Sequence, residues 1–167
     1  MILSRMAMTL RSFSAKFNNQ PVQVSKLTIP AITPQTEEYD SGTGLGTVPL
    51  DTGRIEPVEV PIVFKQYHKE VYRNLGVGLE YNRLKYNGVQ QLHAAVSPVF
   101  LDMEGWILGV GEEEWGEKLA EPQAKFRAMK LKFSIDGEEL IHIDYDLRIY
   151  KVGGVEKGMQ ALVILNA

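Results

Sequence analysis

Residues 126–155, FRAMKLKFSIDGEELIHIDYDLRIYKVGGV, constrain the fold more than any other stretch of this chain. Met129, Leu131, Phe133 and Ile135 alternate with Lys130, Lys132 and Ser134; beyond Asp136-Gly137, Ile141, Ile143 and Tyr145 alternate with His142, Asp144 and Asp146. A period of two sends successive side chains to opposite sides of a pleated strand, so the stretch predicts a β-hairpin, over about residues 126–146, with one apolar face. Its register follows from which residues can oppose one another. A two-residue Asp136-Gly137 loop sets Lys132 against Ile141 and Lys130 against Ile143, whereas a three-residue loop, Ile135-Asp136-Gly137, sets Leu131 against Ile141 and Met129 against Ile143. Keeping apolar residues opposite apolar ones favours the odd loop, a type I turn closed by a left-handed glycine and a bulge.

The rest of the chain is read the same way. Residues 13–17 and 22–29 predict two short strands around Asn18-Asn19-Gln20-Pro21, with Asn19 taking a positive φ. Residues 30–53 hold three prolines and four glycines and show no periodicity, which predicts a long loop. Val58, Val60 and Ile62 alternate with Glu59, Pro61 and Val63 in a strand where Pro61 implies an edge or bulge. Residues 65–75 then change to a helical period: Tyr67, Val71 and Leu75 fall on one buried stripe, Lys65, Lys69 and Arg73 on another, and Gly76 ends the helix. Val77, Leu79 and Tyr81 suggest a short strand, and Asn87-Gly88 a turn. Residues 92–110 and 123–135 read as a long bent hairpin with Glu112, Glu113, Glu114 and Trp115 near its tip. The apolar run 161–165 leaves the conformation of the C-terminal segment open, a strand packed on a neighbour being one reading.

At 167 residues, with 44% hydrophobic and 23% charged, the chain is the size and balance of one soluble globular domain. No apolar run approaches the ~20 residues that span a bilayer. Arg5 interrupts the apolar N-terminus, so no secretory signal is expected and the chain is expected to be made in a cytoplasm. The absence of cysteine excludes disulfides, thiolate metal sites and thiol nucleophiles. A net charge of −3 argues against a dedicated DNA binder, which needs a basic face to neutralise phosphates. A surface past which DNA slides is instead expected to be neutral or acidic.

Catalytic patterns are missing as well. His68, His93 and His142 have no paired spacing, and neither a nucleophile elbow nor a phosphate loop occurs. Gly42-Thr43-Gly44-Leu45-Gly46 does not open a helix, as a dinucleotide site requires. The three adjacent glutamates lack a histidine at ligand spacing and a calcium-loop pattern, which makes a solvated hairpin tip the better reading. No cofactor, metal site or enzymatic activity is expected.

Two segments carry a resemblance. The pattern apolar-x-apolar-Asp-Gly-x-Glu-apolar-x-x-Ile-Asp over residues 133–144, followed by Ile149-x-Lys151-Val152-x-Gly154-Val155, resembles the C-terminal part of the major tail tube proteins of P2-like contractile-tailed phages and R-type pyocins. Leu27-Thr28-Ile29-Pro30, then Glu38, Gly42 and Pro49-Leu50-Asp51-x-Gly53, is similar to a second segment of that family. The resemblance implies a mainly β, sandwich or barrel-like tail tube fold with one outward-facing helix, whose hairpins join neighbours into a ring-shaped barrel. It implies a structural virion protein, forming stacked hexameric rings that conduct DNA during ejection. The long loop, with Glu37, Glu38, Tyr39, Leu45, Pro49 and Asp51, is then an arm over neighbouring subunits. Lys65, Lys69 and Arg73 would face the tail sheath, and Glu112 to Trp115 the next ring or the lumen. Implied partners are further copies, the sheath, a baseplate hub or initiator, a tape measure protein, and viral DNA passing without specific binding. No membrane insertion is expected. The tube of an R-type pyocin or type VI-like injection machine is the nearest alternative; a lipocalin-like carrier, with a closed apolar pocket, is a more distant one.

Overall fold

The computed structural model of the chain describes residues 9–26, 28–40, 42–92, 95–111 and 121–157. Three strands come first, β1 (Thr9–Phe17), β2 (Gln20–Val22) and β3 (Val24–Lys26). Then β4 (Pro34–Asp40) and β5 (Thr47–Ile55) pair only with each other. After β6 (Val58–Phe64) comes a short helix, α1 (Lys69–Arg73), and then the long strands β7 (Asn82–Leu92), β8 (Ala95–Val110) and β9 (Gln123–Ile135). The last strands are β10 (Glu138–Asp144), β11 (Ile149–Val152) and β12 (Val155–Glu156).

The main sheet runs β12-β11-β10-β9-β8-β7-β1-β2, with β6 on β9 and β3 on β6. β9 is where it divides: the half from Gln123 to Ala128 pairs with β6, and the half from Lys130 to Ile135 pairs with β10. Because β3 follows β2 after Gln23 yet pairs with β6 on the far side, the sheet curls around its own core without closing into a barrel. The alternation read from the sequence sets that core. Phe17, Val60, Leu84, Met103, Ile107 and Phe126 are almost wholly buried, and each such side chain removed from water contributes roughly 1.5–3 kcal/mol. Leu131 and Ile143 extend the same cluster into the C-terminal hairpin.

That hairpin corrects the predicted register. Its loop is the tight one, Asp136-Gly137, with φ of 54° and 79° and Ile135 opposite Glu138. Both central residues at positive φ make a loop whose twist matches the strands, a better match than a longer turn. Apolar pairing is then recovered by a bulge at Leu140, which sets Ile141 opposite Phe133 and Ile143 opposite Leu131. The first turn follows the same rule, with Asn18 and Asn19 at φ 48° and 64°. There the Asn18 side chain accepts from the Arg83 amide at 2.8 Å and donates to Asn82 Oδ1 at 3.1 Å.

Other elements differ from their sequence reading. The predicted loop 30–53 is mostly the hairpin β4–β5, turning through Gly42, Gly44 and Gly46, all at positive φ. Its alternation was hidden by Pro34 and Pro49, which sit in strands that have one partner each and so tolerate a missing N–H. The helix predicted over 65–75 is only Lys69–Arg73, and Tyr67 and Leu75 are 42% and 52% exposed, leaving Val71 as its buried residue. The chain is committed elsewhere on both sides. Lys65 N donates to Gln23 O at 2.9 Å, and Gly76 N to Ile107 O at 2.8 Å. Residues 77–81 are not a strand, and Asn87-Gly88 is not a turn but the middle of β7, with Gly88 opposite both Phe13 and Val99. Strand pairing on both sides outweighs the local preference. The predicted strand 22–29 is divided at Gln23 into β2 and β3.

Candidate functional site

Three exposed surfaces stand out among the described residues. Foremost is the β4–β5 arm, exposed along all of β4 and most of β5. Tyr39 stands opposite Val48 and Glu37 opposite Leu50, so these four share one face, while Glu38, Asp40, Thr47 and Pro49 share the other. Tyr39, Val48 and Leu50 are 56%, 47% and 50% exposed and Leu45, at the turn, 93%. An isolated two-stranded hairpin is marginal in water, and one with a bare apolar face is a surface awaiting a partner. Val48 and Leu50 were missed in the sequence, although Val48-x-Leu50 is itself an alternating pair. Of the arm residues expected from the resemblance, Glu37, Tyr39 and Leu45 lie on the apolar face or at the tip, and Glu38 and Pro49 lie on the opposite face. The Asp51 carboxylate is held locally, accepting from Gly53 N at 2.8 Å.

A second exposed apolar stretch follows β6. Tyr67, Tyr72, Leu75, Val77 and Leu79 all lie in the open, the two tyrosine rings 6.0 Å apart. The cations expected as one helical stripe are divided here. Lys69 and Arg73 are a turn apart on α1, Arg73 bound to Glu70 at 2.8 Å, but Lys65 precedes the helix at a bend. Glu112, Glu113, Glu114 and Trp115, like His93 and the apolar run 161–165, lie outside the described residues.

The third surface is the face of β7–β10 turned away from the core, where charge alternates across the strands. Arg83 is opposite Glu104, Glu104 opposite Lys130, and Lys130 opposite Asp144. Arg83 binds Asp102 through two nitrogens at 3.0 and 2.5 Å, and Lys130 lies 3.8 to 4.0 Å from Glu104, Asp144 and Asp146. Asp144, buried, also accepts from the amides of Asp146 and Leu147 at 3.0 Å each, which shapes the turn into β11. Tyr81 donates to Asp146 at 2.9 Å, and burial together with that carboxylate holds its phenol above the ordinary range. Arg83, Asp102, Glu104, Lys130 and Asp144 line an open cleft of about 310 Å3. Its charges balance, Arg83, Lys130 and Lys132 against Asp102, Glu104 and Asp144, with Leu131 and Leu147 among its apolar lining; it is open, unlike the sealed apolar pocket of a lipocalin-like carrier, and the molecular interior is filled by Phe17, Tyr86 and Phe126.

The two described histidines, His68 and His142, make local contacts. His68 Nε2 accepts from Gln23 N at 3.1 Å and its ring meets Phe64 edge-on at 5.5 Å; burial lowers its pKa from the ordinary value. His142 Nδ1 lies 3.4 Å from Glu139. Among the described residues no group of acidic and histidine side chains is arranged to hold a metal ion, and no helix is long and apolar enough to cross a membrane.

Strand edges complete the picture. β2 meets β1 only from Ala15 to Phe17, and β3 meets β6 only at Val63 and Phe64. Among the described residues the outer backbone edges of residues 9–14 and 58–62 therefore have no strand partner. Pro61 sits on one of those edges, in keeping with its sequence reading.

This architecture is shared with solved structures. The PVC sheath/tube terminator of an extracellular contractile injection system in its extended state superposes with a TM-score of 0.58 at 8% identity, over 78% of this chain and 99% of that one. The tube-terminating cap of the anti-feeding prophage gives 0.56 at 13% identity, over 80% and 99%. The PVC sheath-tube complex in the extended state gives 0.55 at 8% identity, over 78% and 93%. At such identities the likeness is one of fold. No curated protein sequence matches the chain. Residues 9–160 match the family model described as phage tail tube protein FII, and the chain is a member of that tail tube protein family.

Proposed function

We propose that the chain is the repeating subunit of the inner tube of a contractile tail, forming six-membered rings that stack into a hollow conduit within a sheath. The observation that carries this is the incompleteness of one copy: among the described residues the backbone edges at residues 9–14 and 58–62 lack strand partners, and the apolar face of the β4–β5 arm is exposed. Open edges and bare hairpins favour association, and ring closure satisfies them from neighbouring copies. Family membership points the same way, and the sheath partner is suggested by the sheath and tube assemblies whose components share the fold.

In this reading the mixed-charge face of β7–β10 lines the bore. Paired charges leave little net attraction for a polyanion, which suits DNA passing without adhesion. The hairpin tip with Glu112 to Trp115 meets the next ring or the lumen, and a baseplate hub or initiator and a tape measure protein set where the tube starts and stops. The particle is a virion whose subunits are made in the bacterial cytoplasm.

Negative-stain microscopy of the concentrated, purified chain tests the proposal. Hollow tubes or stacked rings of uniform diameter are the expected result; a monodisperse monomer at every concentration, with or without a baseplate nucleus, would overturn it. A second reading, the tube of an injection machine that carries no genome, is favoured by the injection-system neighbours. Nucleic acid inside the purified particles separates the two.

A further inference from the structure

The arm and the stretch after β6 complement each other, and within one copy neither is covered by the described residues. The arm presents Glu37, Tyr39, Val48 and Leu50 on one face. Residues 34–55 carry Glu37, Glu38, Asp40 and Asp51 against Arg54 alone. The other stretch presents Tyr67, Leu75, Val77 and Leu79 beside Lys65 and Lys69. Among the described residues neither of these lysines, nor Glu37 or Glu38, makes an ion pair; Arg73 is already engaged by Glu70.

We propose that the β4–β5 arm of one copy docks, apolar face down, on the Lys65–Leu79 stretch of a second copy, with Glu37 meeting Lys65 or Lys69. This deepens the tube reading and rests on it, by naming the surface that receives the arm. Two apolar faces that stay exposed in the same copy can bury each other only between copies. Opposite charges set around them fix orientation and disfavour the like-with-like pairings of arm on arm. The contact is heterologous, one patch meeting a different patch, and such contacts propagate into rings or open helices rather than stopping at a two-fold dimer. It also moves Lys65 and Lys69 from the sheath-facing role expected in the sequence to the contact between tube subunits.

The chain has no cysteine, so Val48→Cys and Val77→Cys introduce its only thiols. Treated with a short bismaleimide after assembly, the double variant should give a covalent ladder extending past the dimer. Neither single variant should ladder, nor should a Val48→Cys, Leu147→Cys control. Glu37→Lys and Lys69→Glu should each raise the protein concentration needed for assembly by about tenfold, and the two together should restore it, tenfold being ~1.4 kcal/mol. Tubes that form without a ladder, or that ladder equally in the Leu147 control, overturn the docking while leaving the tube reading intact. Absence of any assembly by the unmodified chain in microscopy defeats the tube reading, and this inference falls with it. Should the cysteine variants fail to fold, by circular dichroism, charge exchange decides: both single reversals silent, or no restoration, overturns the docking.

Discussion

Arg83 closes two hydrogen bonds on Asp102 rather than on Glu104, the residue directly opposite it in the β7–β8 ladder, which it meets only at 3.9 Å. Glu104 lies between the two cations, 3.9 Å from Arg83 and 4.0 Å from Lys130, so one arginine and one lysine knit three strands of the charged face. With Arg83 and Asp102 side chains 43% and 32% exposed, solvent screens the pair. A double-mutant cycle with Arg83→Ala and Asp102→Ala should give a coupling of about 0.5–1 kcal/mol in urea unfolding, diminishing in high salt. A coupling indistinguishable from zero at low salt would mean that the fork geometry adds nothing to the ladder.

Gly105 makes a different demand. It lies opposite Ala128, next to a bulge of β9 at Met129, and a methyl group built there would run into the carbonyl oxygen of Arg127 on β9. Backbone on both sides cannot rotate away as a side chain can. Gly105→Ala should destabilise the fold by roughly 1–3 kcal/mol or more, measured by thermal unfolding; an unchanged melting temperature would show that β8 and β9 are further apart.

Tyr86 offers the opposite sign. Its ring fills the core but its hydroxyl has no hydrogen-bond partner among the described residues, and burial pushes its phenol well above the usual range. Tyr86→Phe removes an unsatisfied polar group while keeping the ring, so stability should hold or rise by up to ~1 kcal/mol. A loss of more than that in chemical denaturation would mean that the hydroxyl has a partner.

His68 predicts a pH dependence. Its ring accepts the Gln23 amide hydrogen through Nε2, which needs the neutral form, and burial lowers its pKa below 6.5. The unfolded chain therefore takes up the proton first as pH falls. The contribution is present in full above about pH 6.5, diminishes as pH drops through that value, and levels off below the folded-state pKa. His68→Phe should flatten the melting-temperature profile between pH 7.5 and 5, and an unchanged slope would place the titration elsewhere.

What the sequence by itself determined is the place of several strands, among them residues 58–64 and the C-terminal hairpin, and the face that residues 58–64 bury. Alternation in residues 58–64 maps onto the buried side chains because a strand's side-chain period is a local property of the backbone, whereas in residues 126–135 the bulge at Met129 shifts it, burying Phe126 and Ala128 and then Leu131. What only the tertiary structure decided depends on partners far along the chain. Asn87-Gly88 reads as a turn until β1 and β8 pair on either side of it, and α1 stops short because Gly76 is hydrogen-bonded to Ile107. Leu140 bulges because a tight Asp136-Gly137 loop and an apolar cross-strand pairing can both hold only if one residue is left over. The arm shows both limits at once. Its glycines and prolines hid two strands, and its apolar face, Tyr39 beside Val48 and Leu50, exists only once pairing sets their register. A sequence states the period of a strand, but register and partnership are set by hydrogen bonds and contacts between segments distant in the chain.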